Sequence, residues 1–161
     1  MTIKRILVPV DFSEPSLRAL DYAIDFARPL KAELAVLFVV EPIYSITPGD
    51  LYAPSAELSA LMLEQRRQGK EELARIEARL QKRYGKVRAV LAEGLAYQAI
   101  VVAATKQKVD LIVMATHGRT GLSHLFMGSV AEKVVRSAEC PVLTMRVPET
   151  NKQRRHKRAA R

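Results

Sequence analysis

The chain has 161 residues, of which 48% are hydrophobic and 27% charged, with no Trp and one Cys. That length suits a single domain with a sizeable core. The composition excludes an internal disulfide, and no apolar run approaches the roughly 18 residues that cross a membrane. The formal net charge of +9 is uneven. Lys152, Arg154, Arg155, Lys157, Arg158 and Arg161 contribute six positive charges to an acid-free tail, leaving +3 for the rest of the chain. Residues 1–148 therefore read as one mildly basic domain, and 149–161 as a basic, disordered appendage. The tail invites weak, salt-sensitive contact with nucleic acid or another anionic surface. It has no interleaved aromatic for base stacking.

The opening segment Ile3–Val10 is apolar and β-branched, a buried strand. Asp11 and Glu14 follow too closely for a signal peptide, so a cytoplasmic location is expected. Ser13 is a good N-cap, with Glu14 and Pro15 in the first turn. Leu17, Leu20, Ile24 and Ala27 repeat on one helical face, and Pro29 is expected to end that helix. Ala32–Val40 reads as a second buried strand. Glu41–Ser55 carries Pro42, Pro48, Gly49 and Pro54 and reads as a long loop, either a binding loop or a spacer.

From Glu57 to Tyr84 the pattern is a long helix. Leu58, Leu61, Met62, Leu73, Ile76 and Leu80 lie along one side, and a charged, solvated face with i,i+4 pairs lies on the other. Gly85 stops it. Lys86–Glu93 alternates polar and apolar, as an edge strand does. After the turn at Gly94, Tyr97, Ile100, Val101 and Ala104 mark a third helix. Leu111–Met114 is a fully buried strand. A glycine-bearing loop follows, and a helix opens near Gly128-Ser129. Pro141–Arg146 is a last short strand. Strands alternating with helices call for a parallel sheet covered on both faces.

Ligands bind such sheets outside the carboxyl ends of the strands, where the winding reverses. The loops at Asp11-Phe12-Ser13 and from Thr116 onward flank that crevice. The helix that opens at Ser129 offers free N–H groups and a partial positive charge, which suit phosphate. The chain lacks GxxxxGK[ST], a GxGxxG after the first strand, a Cys/His zinc cluster and a GxSxG elbow. Asp11 reads two ways: it holds a ribose hydroxyl or a metal-bound water, or it caps the following helix. His117, at the end of a strand, faces phosphate or solvent, and His124 reads as a loop residue. Cys140 reads as a packing residue, since no activating base stands near it in sequence.

Two blocks, ILVPVDFSEPSLRAL and VDLIVMATHGRTGLSHLFMGSVAEKVVRSAECPVLTMR, together with their separation, resemble the universal stress protein family. The resemblance runs from Ile3 to about Val147. It implies a single open five-stranded sheet of order 3-2-1-4-5. Nucleotide-binding members resemble G-x2-G-x9-G-[ST] after the fourth strand. Here Gly118, Gly128 and Ser129 match, and Ala115 stands at the first glycine.

By that resemblance Pro9, Val10 and Asp11 line the adenine and ribose, and Val39 and Met114 lie against the base. Ala115, His117 and Gly118 follow the ribose and phosphates. Gly128, Ser129 and Val130 receive the phosphates, with Mg²⁺ as a bridging ion that needs few protein ligands. The resemblance also implies a homodimer through Val142–Met145. The function it implies is an ATP-binding stress-response module with at most slow hydrolysis. The alternative is a dimeric interaction protein of the same fold that binds no nucleotide.

Overall fold

The structure, a computed structural model, describes residues 2–42, 56–117 and 127–146. Strands β1 (Arg5–Val10), β2 (Glu33–Val40), β3 (Val87–Glu93), β4 (Leu111–Ala115) and β5 (Val142–Met145) alternate with helices α1 (Glu14–Leu30), α2 (Ala56–Arg83), α3 (Ala96–Lys106) and α4 (Ser129–Ser137). The strands form one open parallel sheet of order β3-β2-β1-β4-β5. The chain winds outward from β1 to β3, then returns past β1 to start β4. The carboxyl ends of β1 and β4 therefore flank the reversal.

Period-two alternation divides the core between the two faces. Ile6, Val8, Val10, Val36, Phe38 and Val113 pack with α1 and α2. Leu7, Ala35, Leu37, Ile112 and Met114 pack with α3 and α4. At the opposite end of the sheet the Asp110 carboxylate accepts the N–H groups of Lys4 and Arg5, each at 2.8 Å. The bond from Lys4 above all, helped by that from Arg5 and by the charges of both residues, holds its carboxyl below the usual range against the opposing effect of burial. The Tyr84 hydroxyl sits between the carbonyls of Ala27 and Ala32, where α1 hands over to β2. Burial pushes that phenol up.

Two helices depart from the sequence reading. Helix α1 does not stop at Pro29 but continues to Leu30. So close to the end, the proline removes only one backbone bond. Lys31, at φ 53°, closes the helix with its N–H directed back at the last turn. In α2 the apolar side is buried only from Gly69 through Leu73, Ile76 and Leu80. Leu61 is 54% exposed, so the first half of this helix extends beyond the sheet. Its charged face does carry the expected short-range pairs, with Arg67 held by Glu64 at 2.7 Å and Glu71 at 2.6 Å.

Gly69 explains how the second half of α2 comes so near the sheet. A glycine inside a helix costs roughly 1 kcal/mol relative to alanine. Here an added Cβ would lie 2.3 Å from Cε1 of Phe38, so only glycine lets the helix rest on that ring. Among the described residues no helix is long and apolar enough to cross a membrane.

Candidate functional site

The first wall of the crevice is built where β1 runs into α1. The Ser13 hydroxyl caps α1 by accepting the Ser16 N–H at 3.4 Å. The Ser16 hydroxyl donates to the Ser13 carbonyl at 2.9 Å. Asp11 Oδ1 accepts both the Ser13 N–H at 3.0 Å and the Ser13 hydroxyl at 2.5 Å. Asp11 thus supports the cap through Ser13, and its half-buried carboxylate stands at the mouth of the crevice.

Phe12, between these two, has φ 62°. That backbone costs an aromatic residue roughly 1–2 kcal/mol. Its ring stacks on Phe38 with centroids 4.4 Å apart. Such a pair contributes about 0.5–1.5 kcal/mol beyond the area it buries, so the stack offsets much of the strain.

The second wall is the end of β4 and the start of α4. The Thr116 N–H donates to the Met145 carbonyl at 2.9 Å, which ties the ends of β4 and β5 together. The Gly128 N–H donates to the Thr116 carbonyl at 2.8 Å and draws the start of α4 against β4. A Cβ at Gly128 would lie 2.9 Å from that same carbonyl, so the close approach requires glycine. The Thr116 hydroxyl lies 2.9 Å from Nδ1 of His117, whose Nε2 is buried without a hydrogen-bond partner.

Gly128 caps α4 without any side-chain bond. Ser129, Val130 and Ala131 open the helix, and helix geometry gives their N–H groups no carbonyl of the same helix. The next N–H, that of Glu132, already reaches the Gly128 carbonyl at 3.0 Å. The result is a short row of amide donors at the positive end of a helix dipole.

The sequence-predicted residues are brought together unevenly. Val39, Met114 and Val130 pack on the α3/α4 face, and strand alternation puts Pro9 on that face too. Val10 does not join them: its side chain is buried with α1 and α2 on the other face. Ala115 is the last residue of β4 and has no left-handed backbone. Alanine there adds a methyl without strain.

Gly118, His124 and the loop between them lie outside the described residues, as do 43–55 and the tail. The Cys140 thiol is half-buried against the α3/α4 core, and burial pushes its pKa up, as suits a packing residue. Among the described residues no group of three or more His, Cys, Asp or Glu is placed to hold a metal.

Sequence reasoning missed several contributors. Glu41, just past β2, accepts the Ala96 N–H at 2.9 Å and so caps α3 from 55 residues away. Phe38 lies within a strand and Gly69 within a helix, and no local signal marks their contact. Phe12 carries no glycine signal for its left-handed backbone.

Known proteins place this architecture. Residues 2–146 match the model of the universal stress protein family. A universal stress protein of Methanocaldococcus jannaschii is 36% identical over 148 residues, which are 91% of this chain and 84% of the relative. The structure of UspA from Lactobacillus plantarum superposes with a TM-score of 0.79 at 25% identity, covering 91% of this chain and 99% of that one. An Archaeoglobus fulgidus universal stress protein in complex with dAMP shares the fold with a TM-score of 0.61 at 22% identity, over 89% of this chain and 98% of that one. With its five-stranded order and its crevice between β1 and β4, the chain belongs to the universal stress protein family.

Proposed function

We propose that the crevice binds an adenine nucleotide, with ATP as the ligand, and that the protein works as a stress-response binding module with at most slow hydrolysis. The observation that carries this reading is the open row of N–H groups at Ser129, Val130 and Ala131, beneath a cap that only glycine can provide. Phosphate is the ligand chemistry that such a helix start accepts. The unpartnered Nε2 of His117 adds a buried polar atom on the same wall. Val39, Met114 and Pro9 supply an apolar surface for a base, and the Asp11 carboxylate is placed to accept ribose hydroxyls. Gly118 belongs to the proposed phosphate loop. Ser129 would add its hydroxyl, and Mg²⁺ would be held chiefly by phosphate oxygens and water.

That a family relative holds dAMP supports the adenine assignment. The outer edge of β5 completes the proposal: Val142, Leu143, Thr144 and Met145 are half-buried on an open sheet edge. A second copy pairing there would cover it, giving a homodimer.

Calorimetry with Mg·ATP, alongside mass spectrometry of nucleotide copurified from cells, tests the reading. Saturable binding or a copurified adenine nucleotide is expected. No heat at millimolar ATP together with no copurified nucleotide would sink it.

A further inference from the structure

Three residues among the described ones combine a side chain with positive φ: Phe12, Lys31 and Lys108. Lys31 and Lys108 follow helix ends, where a left-handed residue is ordinary. Phe12 follows a strand, and as a bulky aromatic it is poorly suited to that backbone. Something outside the loop must hold it. Its ring lies on Phe38, which is 5% exposed. Phe38 in turn lies on the bare backbone of Gly69, where even a methyl would come within 2.3 Å of Cε1 and 2.7 Å of Cδ1. Phe38 is thus clamped between α2 and Phe12. At the other end of this stack, the chain reversal at Phe12 brings Ser13 back to Asp11 Oδ1. A positive φ at the residue before the donated N–H is the mark of type II turns, which an Asp side chain can mimic.

We propose that the Gly69–Phe38–Phe12 stack is a positioning device. It fixes the Asp11 carboxylate to read the vicinal hydroxyls of a ribose, so that α2 governs sugar recognition from the face of the sheet opposite Val39 and Met114. The proposal rests on the nucleotide reading above. Phe12, Phe38 and Gly69 are positioning residues, and the group that touches the ligand is Asp11. Strain concentrated at one residue and held by its surroundings is a recurrent feature of binding sites. Here the surroundings that hold it are identifiable.

The test uses the full chain and two probes, ATP and 2′,3′-dideoxy-ATP. The wild type should favour ATP by about tenfold or more, the effect of losing hydrogen bonds to a charged group. Gly69→Ala forces Phe38 aside, and Phe12→Ala removes the stack. Both should bring that preference close to one, with dideoxy-ATP affinity held within about twofold. Phe12→Tyr keeps the stack and should keep the preference.

A ligand-free measurement separates this proposal from the nucleotide reading. Amide hydrogen exchange at Ser13 should speed up in both alanine variants and stay slow in Phe12→Tyr. If the wild type binds no nucleotide, the nucleotide reading falls, and with it the ribose half of the proposal, while Ser13 exchange still decides the positioning half. Folded Gly69→Ala and Phe12→Ala proteins with wild-type Ser13 exchange, or with an unchanged preference for ATP, would overturn it.

Discussion

Helices α1 and α4 start at the same end of the sheet, after the adjacent strands β1 and β4, yet they treat their first turns in opposite ways. Helix α1 satisfies itself. Pro15 has no N–H to offer, the Ser16 N–H goes to the Ser13 hydroxyl, and Asp11 holds Ser13 in place. Helix α4 has glycine where α1 has serine, and its first-turn amides carry no side-chain cap. Helix α3 is an intermediate case, capped by Glu41 from another loop. A side-chain cap typically stabilises a helix by about 1 kcal/mol. Forgoing one at α4 therefore makes physical sense if an anion from outside supplies it. A serine hydroxyl caps α1 and a carboxylate caps α3 from within the chain, and phosphate is the proposed cap for α4.

The comparison breaks most completely if α4 is made to resemble α1. Gly128→Asp should supply an internal carboxylate and also press a Cβ on the Thr116 carbonyl. ATP affinity measured by calorimetry should fall by at least about a hundredfold, since lost charge-assisted bonds and like-charge repulsion add to roughly 3 kcal/mol.

The converse change is Ser13→Ala, which makes α1 resemble α4. Stability in a denaturant titration should drop by about 1.5 kcal/mol, and the helix should gain no phosphate affinity of its own. A smaller effect is expected from Ser129→Ala. It leaves the backbone donors in place and removes one hydroxyl, so ATP affinity should weaken about fivefold, near 1 kcal/mol, with melting unchanged.

The smallest effect lies at the far end of the sheet, where Asp110 uses its carboxylate on the Lys4 and Arg5 N–H groups. Its carboxyl titrates below the ordinary 3.8 in the folded protein. Its stabilising contribution is therefore complete above that ordinary value and is lost as pH falls through the folded one. Asp110→Asn should flatten that acid limb of the stability curve. Asp110 is only half-buried, and solvent screening keeps the loss at neutral pH under about 1 kcal/mol.

Much of the sheet is legible from runs of residues. Ile6–Val10, Leu34–Val40 and Leu111–Met114 are apolar because both faces of the sheet are covered. The α1 cap is legible because Ser13, Glu14 and Pro15 act on one another within a single turn. What escapes a linear reading is whatever depends on distance through space. Val10 reads as a lining residue until strand register sets its side chain on the α1/α2 face. Nothing near Gly69 in the chain announces that Phe38 lies against it. Leu61 reads as core until the length of α2 carries it past the sheet. Whether Ala115 can stand where the family pattern has glycine also depends on backbone geometry, and the strand end there has no left-handed residue.

An amide-resolved NMR titration of the full chain with Mg·ATP tests the contrast between the two helix starts most directly. The N–H signals of Ser129, Val130 and Ala131 should move most and saturate together, while those of Ser16 and Leu17 in α1 stay near their starting positions. Signals at α4 that do not respond to millimolar ATP, or that respond no more than those of α1, would contradict the account.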